Sequence, residues 1–279
     1  MLYSDWVHNK NKKDNSIEVF KFWKSLYSFD ELYIMFLHVG DRMEVLIILI
    51  TFLAGIVQGV TGFGAGIVMM MILPTFFSLP QSAGISTAIG LFLNLSMVLM
   101  YRKHINFKAI IIPSISFLFI TSIAIIFSTH VDQVLMKKLL GVLFVCLSIY
   151  YIFFNKQTNK KLSLPVSILF IVISGICSGL FGIGGPLMVL YYLSQINKQE
   201  EYLGTIQTFF LINSIYNTGL RIYTGILLPE HILLIIMGIV SIVLGGLVAK
   251  KIVDKLDGVL LRKVTYVMIG IAGIINIIK

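Results

Sequence analysis

At 279 residues, 57% of them hydrophobic and only 13% charged, with a mean hydropathy of +0.93, the chain has more apolar surface than a water-soluble core of this size buries. Its net charge of +9 is ordinary for a membrane protein with basic cytoplasmic loops and does not indicate a nucleic-acid partner. Uncharged runs long enough to cross a hydrocarbon layer of about 30 Å recur along the chain, continuous rather than alternating. They exclude a β-barrel and predict an all-α polytopic membrane protein.

Residues 1–43 are polar, rich in lysine and aromatics, and contain no span. The stretch 17–39 mixes charge with Phe, Trp and Tyr, which suits a helix lying in the membrane interface. Met43, followed by EVLIILITFLAG, reads equally well as a translation start, which would make the extension an annotation artefact. Eight apolar segments follow, near 44–77, 81–101, 108–127, 138–154, 164–195, 203–220, 231–249 and 259–278. A basic linker at 155–163 divides them into a first unit, 44–154, and a second, 164–279. If each segment crosses once from a cytoplasmic N-terminus, inside segments hold 14 Lys and Arg residues and outside loops hold 8, which favours that orientation weakly. Cys146 and Cys177 lie in apolar runs with no metal or disulfide spacing.

The two units resemble each other. GIVQGVTGFGAGIVMMMILP at 55–74 matches GICSGLFGIGGPLMVLYYLS at 175–194, so that Gly55, Gly59, Gly62 and Gly64 fall on Gly175, Gly179, Gly182 and Gly184. Asn94 and Arg102 then match Asn213 and Arg221, and VDQVLMKK at 131–138 resembles LDGVLLRK at 256–263. Order is kept throughout, which reads as a four-segment unit used twice. Repeats of this kind in membrane proteins suggest a carrier whose site lies between the halves.

Glycine is dense where a spanning helix would least want it. No Asp, Glu, Lys, Arg or His occurs in 45–101, yet GVTGFGAG sits at 59–66. Each interior glycine costs roughly 1 kcal/mol relative to alanine. Segments one and five are also too long to be straight: at 1.5 Å per residue they would reach about 50 Å. The clusters at 59–66 and 179–186 therefore predict an unwound break in each, with Pro186 suited to the first turn of the helix that resumes. Free N–H groups and the positive dipole end at such a start favour an anion. The competing reading is close helix packing through the small-xxx-small pairs Gly55/Gly59, Gly62/Gly66 and Gly175/Gly179.

The polar residues inside the runs are amides and hydroxyls, and all thirteen acidic residues lie at span ends or in loops. A cation carrier ordinarily needs a carboxylate in its path. A cavity of amides, hydroxyls and helix N-termini suits an anion instead. The candidate substrate site comprises Gln58, Thr61, Gly62, Gly64, Gly66 and Asn94 from the first unit. The second unit contributes Ser178, Gly182, Gly184, Gly185, Gln207 and Asn213. Arg102 and Arg221, at matched positions, are candidates to draw anions toward it, or simply interfacial anchors. Asn94 and Asn213 have a helix-packing alternative. No nucleophile–base pair, metal set or cofactor motif is present, so neither an enzyme nor a cofactor is expected.

These paired stretches, GxxxGxxGxG in the first unit and GxxxGxxGxGG in the second, resemble the TauE/SafE family of sulfite exporters and anion permeases, over about residues 44–278. GLFGIGGP at 179–186 is the more typical copy, and the first departs from it with Ala65 and Gly66 in place of Gly185 and Pro186. The resemblance implies a multi-pass protein of the cytoplasmic membrane that moves sulfite, a sulfonate or another small organic anion, often outward. The implied partners are that anion and the lipid bilayer, with a homo-oligomer compatible. A membrane-embedded anion-binding accessory or sensor without net transport is the alternative. Without an interior carboxylate, proton coupling would have to use substrate protonation, water or an interfacial group.

Overall fold

The computed structural model describes residues 42–153, 162–252 and 258–278. The interfacial helix expected before residue 42 and most of the basic linker at 155–163 lie outside the described residues. Among the described residues there are ten α-helices and no strand. In chain order the first five are α1 (Arg42–Thr61), α2 (Ala65–Met70), α3 (Leu79–Tyr101), α4 (Phe107–Ser128) and α5 (Gln133–Phe153). The second five are α6 (Leu164–Phe181), α7 (Gly185–Gln195), α8 (Gln199–Tyr223), α9 (Ile232–Ile252) and α10 (Gly258–Ile278). Six of the helical stretches are long and apolar enough to cross a membrane: Met43–Thr61, Leu79–His104, Phe107–Ser128, Gln133–Tyr150, Leu164–Phe181 and Pro229–Ala249.

The expected segments one and five are each split. α1 stops at Thr61 and α2 resumes at Ala65; α6 stops at Phe181 and α7 resumes at Gly185. The expected sixth segment is α8, a full-length helix that falls short on hydropathy because its sequence, QEEYLGTIQTFFLINSIYNTGLRIY, is laced with amides, hydroxyls and charge. Beyond its first turn, its amides and its arginine are not turned outward. Gln207, Thr208, Asn213, Asn217 and Arg221 are all buried, while Ile212, Ile215 and Ile222 are exposed. The helix is thus inside out relative to one facing water, the pattern expected when the surroundings are lipid and the interior is polar.

Local signals set the helix boundaries. Ser78 caps α3 reciprocally with Gln81, whose side chain accepts the Ser78 N–H at 3.2 Å, and Pro80 occupies the first turn. Asn106 caps α4 by accepting the Ala109 N–H at 3.3 Å. Pro113 lies inside α4 and has no N–H to give the carbonyl one turn back, that of Ala109. The Tyr192 hydroxyl on α7 supplies a donor to that carbonyl, at 3.4 Å.

The most extensive packing joins α1 with α9, α4 with α6, α3 with α8 and α5 with α10. Every one of these pairs takes one helix from the first five and one from the second five. Glycines make the approach close. A Cβ on Gly55 of α1 would run into the Ile242 carbonyl of α9 and lie 3.0 Å from the Gly246 nitrogen. On α6, a Cβ on Gly175 would lie 2.9 Å from Ile120 of α4, and one on Gly179 would lie 2.7 Å from the Thr121 carbonyl. The small-xxx-small reading therefore holds for Gly55/Gly59 and Gly175/Gly179, whereas Gly62, Gly64 and Gly182 serve the breaks. Large apolar side chains such as Ile112, Ile115 and Phe119 of α4 face outward, as a lipid-exposed surface requires.

The packing glycines can be tested directly. Gly55→Leu and Gly179→Leu should each destabilise the protein by about 1–3 kcal/mol or more through overpacking. Gly219→Ala, at a glycine with nothing within 4 Å of a built Cβ, should be level or up to about 1 kcal/mol more stable. Melting of the detergent-solubilised protein reads all three, and equal melting points would remove the glycine-mediated packing.

Candidate functional site

The first break is a three-residue excursion at Gly62, Phe63 and Gly64. Gly62 has φ +82° and Gly64 φ +103°, a region that side chains with a Cβ rarely enter. The Gly62 N–H still reaches the Gln58 carbonyl at 2.7 Å, and the Gly62 carbonyl, no longer in the helix, accepts the Gln207 amide of α8 at 2.6 Å. Thr61 holds the turn locally, donating to Val57 O at 2.7 Å and accepting the Phe63 N–H at 3.3 Å. At the second break Gly182 has φ +67° and its N–H reaches the Ser178 carbonyl at 2.9 Å.

The two breaks touch. A Cβ on Gly66 would stand 2.9 Å from the Gly182 carbonyl, and one on Gly182 would stand 3.1 Å from the Ala83 carbonyl of α3. Where they meet they border a partly open cavity of about 90 Å³. That is room for several waters or one small anion. Of the residues expected at the site, Gln58, Gly64, Gly66 and Asn94 line it from the first half. Ser178, Gly182, Gly184, Gly185 and Asn213 line it from the second. Thr61, Gly62 and Gln207 do not; they hold the first break from behind.

The polar wall is linked by hydrogen bonds of defined direction. The Ala65 N–H, at the start of α2, donates to Gln58 Oε1 at 3.3 Å. Gln58 Nε2 donates to Asn94 Oδ1 at 2.7 Å, and Asn94 Nδ2 donates to Ser214 Oγ at 3.2 Å. One chain of bonds therefore runs from α2 through α1 and α3 to α8. On the far wall, Asn213 Nδ2 donates to the Phe209 carbonyl of its own helix at 2.6 Å. Asn217 Nδ2 lies 3.4 Å from Ser178 Oγ. Phe117, edge-on to Phe209 with ring centroids 5.1 Å apart, closes the α4 side.

The matched arginines part company. Arg102 sits exposed in the 3-10 turn that ends α3. Arg221 is 0% exposed. Its Nη1 donates to Pro80 O at 3.0 Å, and its Nη2 donates to Gly179 O at 2.6 Å and to Ser178 O at 3.3 Å. The interfacial-anchor reading therefore fails for Arg221, whose guanidinium ties the end of α6 to the start of α3. Among the described residues no carboxylate pairs with it. Ser178, whose carbonyl it holds, is itself part of the cavity wall, so a positive charge without a carboxylate partner among the described residues stands one residue behind the site.

A family model, described as sulfite exporter TauE/SafE, matches residues 47–275. The chain belongs to the TauE/SafE family. It is 32% identical over 165 residues to a probable membrane transporter protein of Methanocaldococcus jannaschii, a match spanning 53% of this chain and 61% of the relative. No solved structure matches it. Family membership together with the six long apolar helices makes this a multi-pass membrane protein of a transporter family.

Several lining residues escape sequence reasoning. Ser86 and Gly90 of α3, Phe63, Phe117 and Phe210 all face the cavity, yet small and aromatic residues are common in any membrane helix. Ser214 and Asn217, amid the apolar run of α8, also line the cavity, and nothing in their spacing assigns them to the site. Gly90 is the most useful of these, because a Cβ built there meets nothing within 4 Å. At Gly184 a Cβ would instead meet Phe117 at 2.7 Å and Ser178 Cβ at 2.9 Å. Gly90→Leu should therefore fold and melt like the parent. Gly64→Leu, strained at a positive φ, and Gly184→Leu, overpacked, should each lose roughly 1–3 kcal/mol. Unfolding of Gly90→Leu in detergent would show that no open space exists beside α3.

Proposed function

We propose that the protein is a secondary carrier or facilitator that moves a small anion, such as sulfite, a sulfonate or another organosulfur anion, out across the cytoplasmic membrane. The observation that carries this reading is the cavity bordered by both helix breaks. Its lining consists of amides, hydroxyls, glycine backbone and apolar groups without a charged side chain, and the buried Arg221 stands behind Ser178. An anion leaving water needs donors. The first-turn N–H groups of α7, the serine hydroxyls and the remaining amide hydrogens of Gln58 and Asn94 can provide them. The guanidinium supplies favourable potential without touching the ligand, and that leaves release feasible where a direct salt bridge would hold the anion.

The same reading takes the chain as two repeats, 44–154 and 164–278, with eight crossings. Supporting it are the matched glycine motifs and the reciprocal packing of helices. If α1 corresponds to α6 and α4 to α9, the α1–α9 and α4–α6 contacts are the same contact made twice, and both are built on glycines of the repeated motif. The α3–α8 and α5–α10 pairs would then lie on the pseudo-symmetry axis. Alternating access follows if the halves rock about the two breaks. The direction of transport and the sulfur chemistry of the cargo rest on the family description.

Reconstituted vesicles loaded with sulfite, sulfoacetate, thiosulfate or a simple carboxylate test the proposal. The sulfur oxyanions should cross faster than the carboxylate, and Gly90→Leu should abolish their flux while leaving the melting point intact. Arg221→Lys should keep part of the flux, whereas Arg221→Gln, which removes the charge, should lose about tenfold or more. Flux equal to that of empty vesicles, or unchanged in Gly90→Leu, would overturn the assignment.

A further inference from the structure

Contacts between neighbours fix the direction in which each helix runs. In α1 and α9 residue numbers rise together. Ser241 Oγ donates to Ile48 O at 2.6 Å, a Cβ on Gly55 would stand 3.0 Å from Gly246 N, and one on Gly59 would meet Ala249. α9 is also parallel to α3, since a Cβ on Gly238 would stand 3.0 Å from Ile89 Cγ1 and one on Gly246 would stand 2.7 Å from Leu93. α1 therefore begins at the face of the bundle where α3 begins, here face one. Past the break, the Ala65 N–H meets Gln58, which holds Asn94. A Cβ on Gly66 would stand 3.8 Å from Ser86 Oγ, and the chain then reaches Ser78, the cap of α3. α2 thus leads back along α3, and the first broken segment leaves by the face it entered.

The second broken segment does the same from the opposite face, face two. α6 is parallel to α4: Thr121 Oγ1 donates to Gly175 O at 3.1 Å, and Cβ atoms on Gly175 and Gly179 would meet Ile120 and Ala124. α7 returns, because a Cβ on Gly184 would stand 2.7 Å from Phe117 while the Tyr192 hydroxyl reaches Ala109 O. The start of α8 then lies against the turn between α3 and α4. There Asn106 Nδ2 donates to Glu201 Oε1 at 3.0 Å, and His104 Nε2 is 3.3 Å from Glu200. A second broken segment that crossed would part these residues.

The charge on the connections falls in line with these directions. Those joining helix ends at face one, 71–78, 129–132 and 224–231, carry no Lys or Arg. Those joining ends at face two, 102–106, 154–163, 196–198 and 253–257, carry seven. Cations within the helix ends fall on both faces, Lys137 and Lys138 at one, Lys250 and Lys251 at the other. Among short connections, the face rich in Lys and Arg is the cytoplasmic one.

We infer that the two broken segments are re-entrant hairpins inserted from opposite faces, with face two in the cytoplasm. Six helices, α3–α5 and α8–α10, then cross the membrane. Three crossings per unit leave the two units inverted relative to each other. The cavity between the hairpin tips is approached past α2 from outside and past α7 from the cytoplasm. This revises the eight crossings of the reading above to six. The approach to the cavity rests on the anion reading; the hairpins do not.

Labelling of single cysteines with a membrane-impermeant maleimide tests the hairpins. The unsubstituted protein, whose Cys146 and Cys177 lie within helices, supplies the background. Lys103→Cys and Lys198→Cys should label in inside-out vesicles, and His130→Cys and Glu230→Cys in intact cells. Two positions on each face keep the comparison available if one variant does not fold. Single crossings by all eight segments place Lys103 and Lys198 on opposite sides, so labelling of those two from opposite sides overturns the inference. The fully reversed pattern upholds the hairpins and overturns the orientation. For the cavity, Gly90→Cys is treated from each side in turn with 2-sulfonatoethyl methanethiosulfonate, an anionic thiol reagent. It should react from both sides, and saturating sulfoacetate should abolish the reaction. Reaction from one side only overturns the two approaches. Reaction from both sides that sulfoacetate does not slow counts against the anion reading and leaves the hairpins standing.

Discussion

A backbone that leaves the helical path inside apolar surroundings frees N–H and C=O groups that water is not there to satisfy. The two glycine breaks face this constraint, and the rest of the architecture follows from how it is met. Gln207 reaches across from α8 to take up the Gly62 carbonyl. Arg221, also on α8, takes up the carbonyls of Ser178 and Gly179. Both breaks are therefore held by the same polar helix, whose composition would be costly in a membrane were its polar face not spent on this task. The cavity is what remains once the framework carbonyls have been satisfied.

The glycines show how one residue type can carry two meanings in one motif. In GxxxGxxGxG the first two positions let neighbouring helices approach to backbone contact, and the later ones permit a left-handed turn. Gly55 and Gly59 pack on α9 while Gly62 and Gly64 turn the chain, and Gly175 and Gly179 pack on α4 while Gly182 turns it. Packing and breaking are successive steps along one helix: the tight contact fixes where the helix lies, and the turn that follows fixes where its unpaired ends point.

Much of this was legible in the sequence because it depends on covalent limits. An uncharged run that is too long to be straight and has glycines clustered near its centre has to break there, and the breaks fall at 62–64 and 182–184 as that logic requires. The apolar runs themselves announced the membrane. What the sequence did not disclose depends on three-dimensional placement. Arg102 and Arg221 are equivalent by spacing, yet one ends a helix at the surface and the other is sealed among carbonyls. Gln58 and Asn94 looked like ligand donors, and each proves to spend one amide hydrogen inside the wall. Gly90 carries no signal at all, since its importance is the emptiness beside it. The expected sixth segment, placed at 203–220, reads as a helix, but that its amides turn inward required knowledge of its neighbours.

The burial of Arg221 also bears on how the chain is assembled during synthesis. On translocon scales an arginine costs about 2.5–3.5 kcal/mol at the centre of a crossing helix and less toward its ends; Arg221 stands in the last turn of α8, but that helix has little hydropathy to offset even the smaller cost. If α8 crosses, it enters the bilayer unaided only at a disadvantage. Its guanidinium finds its carbonyls only after the start of α3 and the end of α6 are in position, because Pro80 and Gly179 lie on those two elements. Both precede α8 in the chain, so the partners are made before the residue that needs them. The order of the helices along the polypeptide is then itself a folding instruction: the apolar crossings are laid down first, and the polar helix that completes the cavity enters an environment already prepared to receive it.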